Sequence, residues 1–152
     1  GAPGAPVGLK EYGRKRDFER TPEPRPSTPS SADPWAFVVH KHAARHVHYD
    51  LRLRIGDVLK SWAVPKGPPE TADVKRLAVA VDDHQLDYIS FEGTIPEGEY
   101  GAGSVKVWDK GLYVLTVREP RKLHFVLKGR KLEGDYRLIN FKDKNWLIYR
   151  VA

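Results

Sequence analysis

Between residues 46 and 55 polar and apolar side chains alternate without a break: His46, Val47, His48, Tyr49, Asp50, Leu51, Arg52, Leu53, Arg54, Ile55. A period of two is the signature of a β-strand, whose side chains point to opposite faces in turn. Val47, Tyr49, Leu51, Leu53 and Ile55 are expected to face a core. His46, His48, Asp50, Arg52 and Arg54 then share the outward face, about 7 Å apart from one to the next. Short runs rich in Val, Ile, Leu, Trp and Tyr recur from Trp35 onward. They predict strands near 36–42, 46–55, 58–64, 76–83, 87–91, 104–108, 112–118, 123–129, 134–140 and 145–150. Gly56-Asp57, Asp109-Lys110-Gly111 and Lys142-Asp143-Lys144-Asn145 supply turn chemistry between them. So many short strands predict an all-β fold, a compact closed β-barrel, with a sandwich as the other way of stacking them. One or two short helices fit as well, near 41–45 and in the N-terminal segment.

Residues 1–34 differ in kind. They hold seven of the twelve prolines and no apolar periodicity, which predicts an extended arm or linker, with the charged stretch near 12–24 as an ordered strap. The barrel is expected over 35–152. The Gly1-Ala2-Pro3-Gly4-Ala5-Pro6 start, without methionine, is expected of a fragment of something longer. With 152 residues the chain is long enough for one domain with a core. It has no cysteine, so disulfides and thiolate metal sites are excluded, and any metal takes N and O ligands. No apolar run approaches the roughly 18 residues of a membrane span, so no membrane partner is expected. A net charge of +6 mildly favours a polyanionic partner such as nucleic acid.

Four of the six histidines fall within residues 40–48. His42, His48 and Asp50 form a His-x5-His-x-Asp pattern. His48 and Asp50 share a strand face, and His42 reaches them if the chain turns at Ala43-Ala44-Arg45. Two imidazoles and a carboxylate suit Mn, Fe, Zn or Ni better than Mg. The plainer alternative is an exposed polar face with scattered histidines. Arg52 extends the row. It either grips a phosphate by paired hydrogen bonds or forms a cross-strand ion pair. Lys66, in the stiff loop Pro65-Lys66-Gly67-Pro68-Pro69, is by default solvated. Arg76, Asp82 and His84 share parity, which would set Arg76 and His84 on one outward face. His84 is then a fourth metal ligand, a phosphate donor, a general acid or a structural histidine. Tyr88 is by default a core or rim aromatic. The glycine-rich run from Glu92 to Gly103 lacks a lysine-serine pair, so it shapes a rim rather than cradling nucleotide phosphates.

At this level of detail the chain resembles a known family. His42-Ala43-Ala44-Arg45-His46-Val47-His48-Tyr49-Asp50-Leu51-Arg52-Leu53 and Leu59-Lys60-Ser61-Trp62-Ala63-Val64-Pro65-Lys66-Gly67-Pro68 look like its first two motifs. Asp83-His84 with Tyr88, the run Phe91 to Gly103, and Val107-Trp108-Asp109-Lys110-Gly111 look like the rest. The family is the 3′-phosphoesterase domain of bacterial DNA ligase D, with archaeal and stand-alone relatives. The likeness runs from about Leu9 to Tyr149.

The resemblance implies a β-barrel with a crescent-shaped site on its outer surface. It implies a manganese-dependent enzyme, other divalent transition metals being possible, acting on DNA or RNA-tipped primer-template 3′ ends. Such enzymes remove a terminal ribonucleoside, then the remaining 3′-phosphate, leaving a 3′-OH for non-homologous end joining. Carried over by position, His42, His48 and Asp50 bind the metal. Arg52, His84 and Tyr88 surround the scissile phosphate, and Lys66 and Arg76 add anion contacts. Arg16, Asp17 and Glu23 resemble the arm used for ribonucleoside removal. Covalent polymerase and ATP-dependent ligase neighbours, a monomeric state and a cytoplasmic, nucleoid-associated place are also implied. Three positions depart from the pattern: His40 stands where glutamine is expected, Arg54 where an acid is commoner, and Asp82 in place of glutamate. Two other classes fit parts of the sequence. One is a non-haem iron oxygenase, which shares the two-histidine, one-carboxylate set. The other is a catalytically silent DNA-end binder.

Overall fold

A computed structural model describes residues 33–99 and 102–151. Within them run nine strands: β1 (Ala36–Ala43), β2 (Val47–Ile55), β3 (Val58–Val64), β4 (Lys75–His84), β5 (Gly93–Ile95), β6 (Gly103–Glu119), β7 (Lys122–Gly129), β8 (Glu133–Lys142) and β9 (Asn145–Val151). Eight of them close an antiparallel barrel in the order β1-β2-β3-β4-β9-β8-β7-β6, with β6 pairing back onto β1. The expected all-β barrel is therefore the fold. The N-terminal arm, with Arg16, Asp17 and Glu23, lies outside the described residues.

The barrel is filled by the inward half of each alternating strand. Phe37, Leu51, Leu53, Phe125, Tyr136 and Ile148 are each at most 1% exposed and belong to one cluster. Each such burial contributes roughly 1.5–3 kcal/mol, which fixes the register, because a one-residue slip would turn the whole set outward. A second, smaller cluster lies on the other face of β2, β3 and β6. It joins Leu59, Tyr88, Phe91 and Val105, with Leu86, Ile89 and Ile95 against them. This outer cluster roofs part of the polar row of β2.

The roof departs from the sequence expectation. Residues 87–91, expected as a strand, lie in a 3-10 helix from Leu86 to Ser90. Tyr88 N–H donates to Gln85 and Phe91 N–H to Tyr88, both at 3.0 Å, so this segment satisfies its backbone locally. The short β5 after it pairs with β6.

A second departure concerns β6, which was expected as two strands around a turn at Asp109-Lys110-Gly111. It is continuous over 17 residues. Its first part pairs with β1 and its last part with β7, and it shifts register opposite Val39 and His40. The buried Asp109 carboxylate accepts backbone N–H groups from Arg130, Lys131 and Leu132 at 2.8–3.1 Å, which ties β6 to the β7–β8 turn. Gly111 allows the change of partner, since a Cβ there would sit 2.2 Å from the Lys128 carbonyl oxygen. The helix expected near 41–45 is instead the end of β1 and a bend.

Candidate metal centre

The β1–β2 hairpin turns at residues 44–46, and its register sets His42 opposite His48 and His40 opposite Asp50. Directly opposed residues share a face, so four polar side chains meet on the outside of the barrel. His42 Nδ1 lies 3.9 Å from one Asp50 oxygen, and His48 Nε2 lies 3.3 Å from the other. One ligand atom from each of these three residues falls within 4.8 Å of the others.

The surroundings of these three residues fit a divalent transition ion. His42 Nε2 is 3.0 Å from the Ala102 carbonyl. A carbonyl only accepts, so Nε2 carries a proton, and in the neutral ring Nδ1 turns a lone pair toward the carboxylate. A lone pair facing an anion is unfavourable until a cation stands between them. A backbone carbonyl behind an imidazole is also a common way of fixing the tautomer of a metal-binding histidine. Burial pushes the Asp50 carboxyl up, but the hydrogen bond from His48 and the Arg52 charge outweigh it, with further help from His48 and His42. The net direction is down, so Asp50 stands as a ready anionic ligand. Metal binding would displace the His48 proton, as imidazole ligation requires.

Arg52 was expected on an outward face, yet it is 3% exposed under the outer cluster. Its Nη2 donates to Asp50 at 3.2 Å, its Nε to His40 Nδ1 at 3.0 Å, and its Nη1 to Ser61 Oγ at 2.9 Å. The Tyr88 ring covers the guanidinium, with 4.9 Å from its carbon to the ring centre. Arg52 is thus a buried hub that fixes the carboxylate. His40 accepts from it as a neutral ring. Burial, aided by the Arg52 charge, pushes the His40 pKa down to about 3.

His84 Nδ1 has two neighbours, Arg52 Nη1 at 3.2 Å and the Asp82 carbonyl at 3.0 Å. A neutral ring accepting from Arg52 carries its proton on Nε2. A doubly protonated ring donates from Nδ1 to Asp82 and also has Nε2–H. Both of these states make Nε2 a donor, whereas a neutral ring that donates from Nδ1 to Asp82 makes Nε2 an acceptor. Tyr88 is buried between His84 and Phe91, with ring centres 4.8 Å from each.

Arg76 and Lys66 are placed differently. The expectation that Arg76 and His84 share an outward face fails. Arg76 pairs with the core residue Ile148, whereas His84 pairs with Leu59 of the outer cluster. The register shift between β3 and β4 changes the phase along β4. The Arg76 guanidinium donates to the Lys66 and Gly67 carbonyls at 2.8 and 2.9 Å, holding the loop that carries the exposed Lys66. Leu77, expected inward, is 42% exposed.

Sequence reasoning gave no role to Ser61, to the Ala102 carbonyl or to the Arg52 contact of His40. Ser61 was within reach of it: a two-residue turn at Gly56-Asp57 sets Ser61 opposite Arg52, as observed. The Ala102 contact depends on a long-range approach that no local pattern encodes.

Residues 40–140 match the family model for the DNA ligase D 3′-phosphoesterase domain. The chain belongs to this family. It is 47% identical to the multifunctional non-homologous end joining protein LigD of Pseudomonas aeruginosa, over 93% of this chain and 18% of that protein. It is 44% identical to the LigD protein of Mycolicibacterium smegmatis, over 97% of this chain and 21% of that one. With the LigD protein of Mycobacterium tuberculosis the figures are 43%, 97% and 20%. The chain thus spans about a fifth of the length of these relatives. Among the described residues, no helix is long and apolar enough to cross a membrane.

Proposed function

We propose that this domain is a divalent-metal-dependent hydrolase that heals 3′ ends at DNA breaks. It removes a 3′-terminal ribonucleoside and then the exposed 3′-phosphate, leaving a 3′-OH. In the first step water attacks phosphorus, the bond to the departing nucleoside's 5′ oxygen breaks, and that oxygen takes a proton as the water loses one. In the second, water attacks again, the bond to the 3′ oxygen breaks, and that oxygen takes a proton. The observation that carries this proposal is the convergence of His42, His48 and Asp50 beside a buried arginine.

Mn2+, or another divalent transition ion held by these three residues, supplies Lewis-acid stabilisation of a phosphoryl oxygen and a more acidic water. The protein's own part is positional and electrostatic. Arg52 keeps Asp50 anionic and oriented, and its charge favours a phosphate alongside. His84 presents a proton at Nε2, to a phosphate oxygen or to the leaving oxygen. Tyr88 walls the His84 side and shields Arg52 from water. Lys66 attracts the strand as a solvated cation on the loop that Arg76 holds. Arg16, Asp17 and Glu23 act in ribonucleoside removal. The longer relatives support a place in non-homologous end joining, and the proposal sets the domain beside polymerase and ligase domains, on nucleoid DNA in the cytoplasm.

Phosphate release from a 3′-phosphorylated primer tests this directly. His48→Ala and Asp50→Ala, each checked for folding by circular dichroism, are expected to abolish release, as does a chelator. Release at the parental rate in either variant would refute the metal assignment. Salt-sensitive binding of the primer without any turnover by the parent protein would instead identify a silent DNA-end binder.

A further inference from the structure

A cleft of about 440 Å³ opens where β3, β4 and the β6–β7 hairpin meet Trp146 of β9. Its walls include Trp62 and Trp146, whose ring centres lie 5.7 Å apart edge to face. Its rim carries Lys60, Asp83, Arg118 and Glu119. Lys60 is paired with Asp83 at 3.6 Å, and Glu119 with Lys122 at 3.9 Å. The exposed Arg118 has no ion pair among the described residues, so the rim keeps one uncommitted positive charge.

Trp62 forms a buried part of the cleft's wall. It is 4% exposed, and its indole N–H has no hydrogen-bond partner among the described residues. An indole nitrogen is a donor only, and a buried donor left unpaired costs about 1–3 kcal/mol. The cleft therefore combines aromatic walls with one cation at its edge. A nucleobase with its backbone phosphate has the matching parts: a π face and a single negative charge. Aliphatic ligands lack the stacking face.

The cleft is joined to the candidate metal centre by shared residues. Ser61 lines the cleft and its hydroxyl accepts from Arg52. Asp83, on the rim, precedes His84. Ile55, also in the lining, is three residues beyond Arg52 on β2, about 10 Å at strand rise.

We propose that this cleft is a nucleobase-binding subsite, stacking a base of the substrate strand on Trp146 while Arg118 meets its phosphate. The proposal rests on the 3′-end-healing function and adds a second contact, away from the scissile phosphate. Base stacking on an aromatic residue is worth about 1–3 kcal/mol, so its loss reads as roughly 5- to 150-fold in affinity.

Two measurements on the whole chain test it. In chelator, anisotropy follows binding of a fluorescent single-stranded 12-mer to the parent, Arg118→Ala and Trp146→Leu, each checked by thermal melting. Both variants are expected to bind at least fivefold more weakly, and a 5-iodouridine 12-mer is expected to crosslink to Trp146 or Trp62 of the parent. With Mn2+, the ratio of KM for a 3′-phosphorylated 12-mer to KM for a mononucleoside 3′-phosphate is expected to rise by the same factor in Arg118→Ala. Parental affinity, no crosslink to either tryptophan and an unchanged KM ratio would overturn the subsite while leaving the end-healing function standing. Absence of turnover in the parent would strike at that function alone, because the binding and crosslinking measurements need no catalysis.

Discussion

Arg52 Nη2 lies 3.2 Å from Asp50 Oδ2, so the carboxylate that faces two imidazoles is held from behind by a buried guanidinium. The same guanidinium reaches His40 and Ser61 through its other nitrogens. A single planar group thus connects β1, β2 and β3 at the site. Lysine has neither the fork nor the reach of three nitrogens. Arg52→Lys is expected to lower kcat by about 10- to 100-fold, on the scale of one or two lost charged hydrogen bonds. Steady-state kinetics on a 3′-phosphorylated primer measures this, and a parental kcat would show that the fork is dispensable.

The Ala102 carbonyl orients His42 only because Gly103 lets the chain pass β1 closely. Gly103 has a φ of +123°, and a Cβ there would lie 2.5 Å from the Ala43 carbonyl oxygen. Gly103→Ala is therefore expected to displace the Ala102–His42 contact and to weaken Mn2+ binding about 10- to 100-fold, the usual cost of losing such a support. Calorimetric titration of the metal-free protein with Mn2+ reads it. Unchanged affinity would mean that His42 keeps its orientation without the carbonyl.

Asp109 offers a stability test far from the chemistry. Its buried carboxylate accepts three backbone N–H groups of residues 130–132, besides that of Lys110. Asp109→Ala leaves those donors unmet in a dry place and is expected to cost about 3 kcal/mol or more. Asp109→Asn keeps an acceptor oxygen and is expected to cost less. Urea unfolding of the two variants against the parent gives both values, and a loss under 1 kcal/mol for alanine would contradict this bracing role.

Much of this was legible in the sequence, and the failures have physical causes. The alternation from His46 to Ile55 gave β2 and its two faces, and the turn at Gly56-Asp57 gave the register to β3. The hairpin spacing was enough to bring His42 toward His48 and Asp50. Alternation could not show that the outward face of β2 would be roofed, because the cover comes from Leu86, Tyr88 and Phe91, more than thirty residues later. The aromatic and aliphatic residues of 87–91 read as a strand, whereas local hydrogen bonds make Leu86–Ser90 a 3-10 helix. Asp109-Lys110-Gly111 has turn composition, but its aspartate is satisfied by the β7–β8 turn and its glycine by a neighbouring backbone. Arg76 and His84 parted company because a register irregularity shifts the phase of β4. Such long-range contacts carry no local sequence signal.

Stability at high pH follows from two buried phenols. Burial pushes both Tyr113 and Tyr136 up to about 12. Tyr136 donates to the Pro69 carbonyl at 2.6 Å, and Tyr113 donates to that of Arg54. A raised pKa means that the folded state holds its proton after the unfolded chain has released it. The contribution is complete below about pH 10 and is lost as pH rises from 10 to 12, on the order of 2 kcal/mol per residue. Denaturation curves of the parent are expected to fall steeply in that window, and those of Tyr136→Phe less steeply. Equal slopes would show that Tyr136 does not titrate with unfolding.

The most direct test is product analysis on a labelled primer-template ending in a single ribonucleotide, with Mn2+ and with chelator. The expected result is a manganese-dependent ladder in which the ribonucleoside end becomes a 3′-phosphate and then a 3′-OH. An intact primer, with Mn2+ present and the strand bound, would contradict the assignment of His42, His48 and Asp50 to a hydrolytic metal centre.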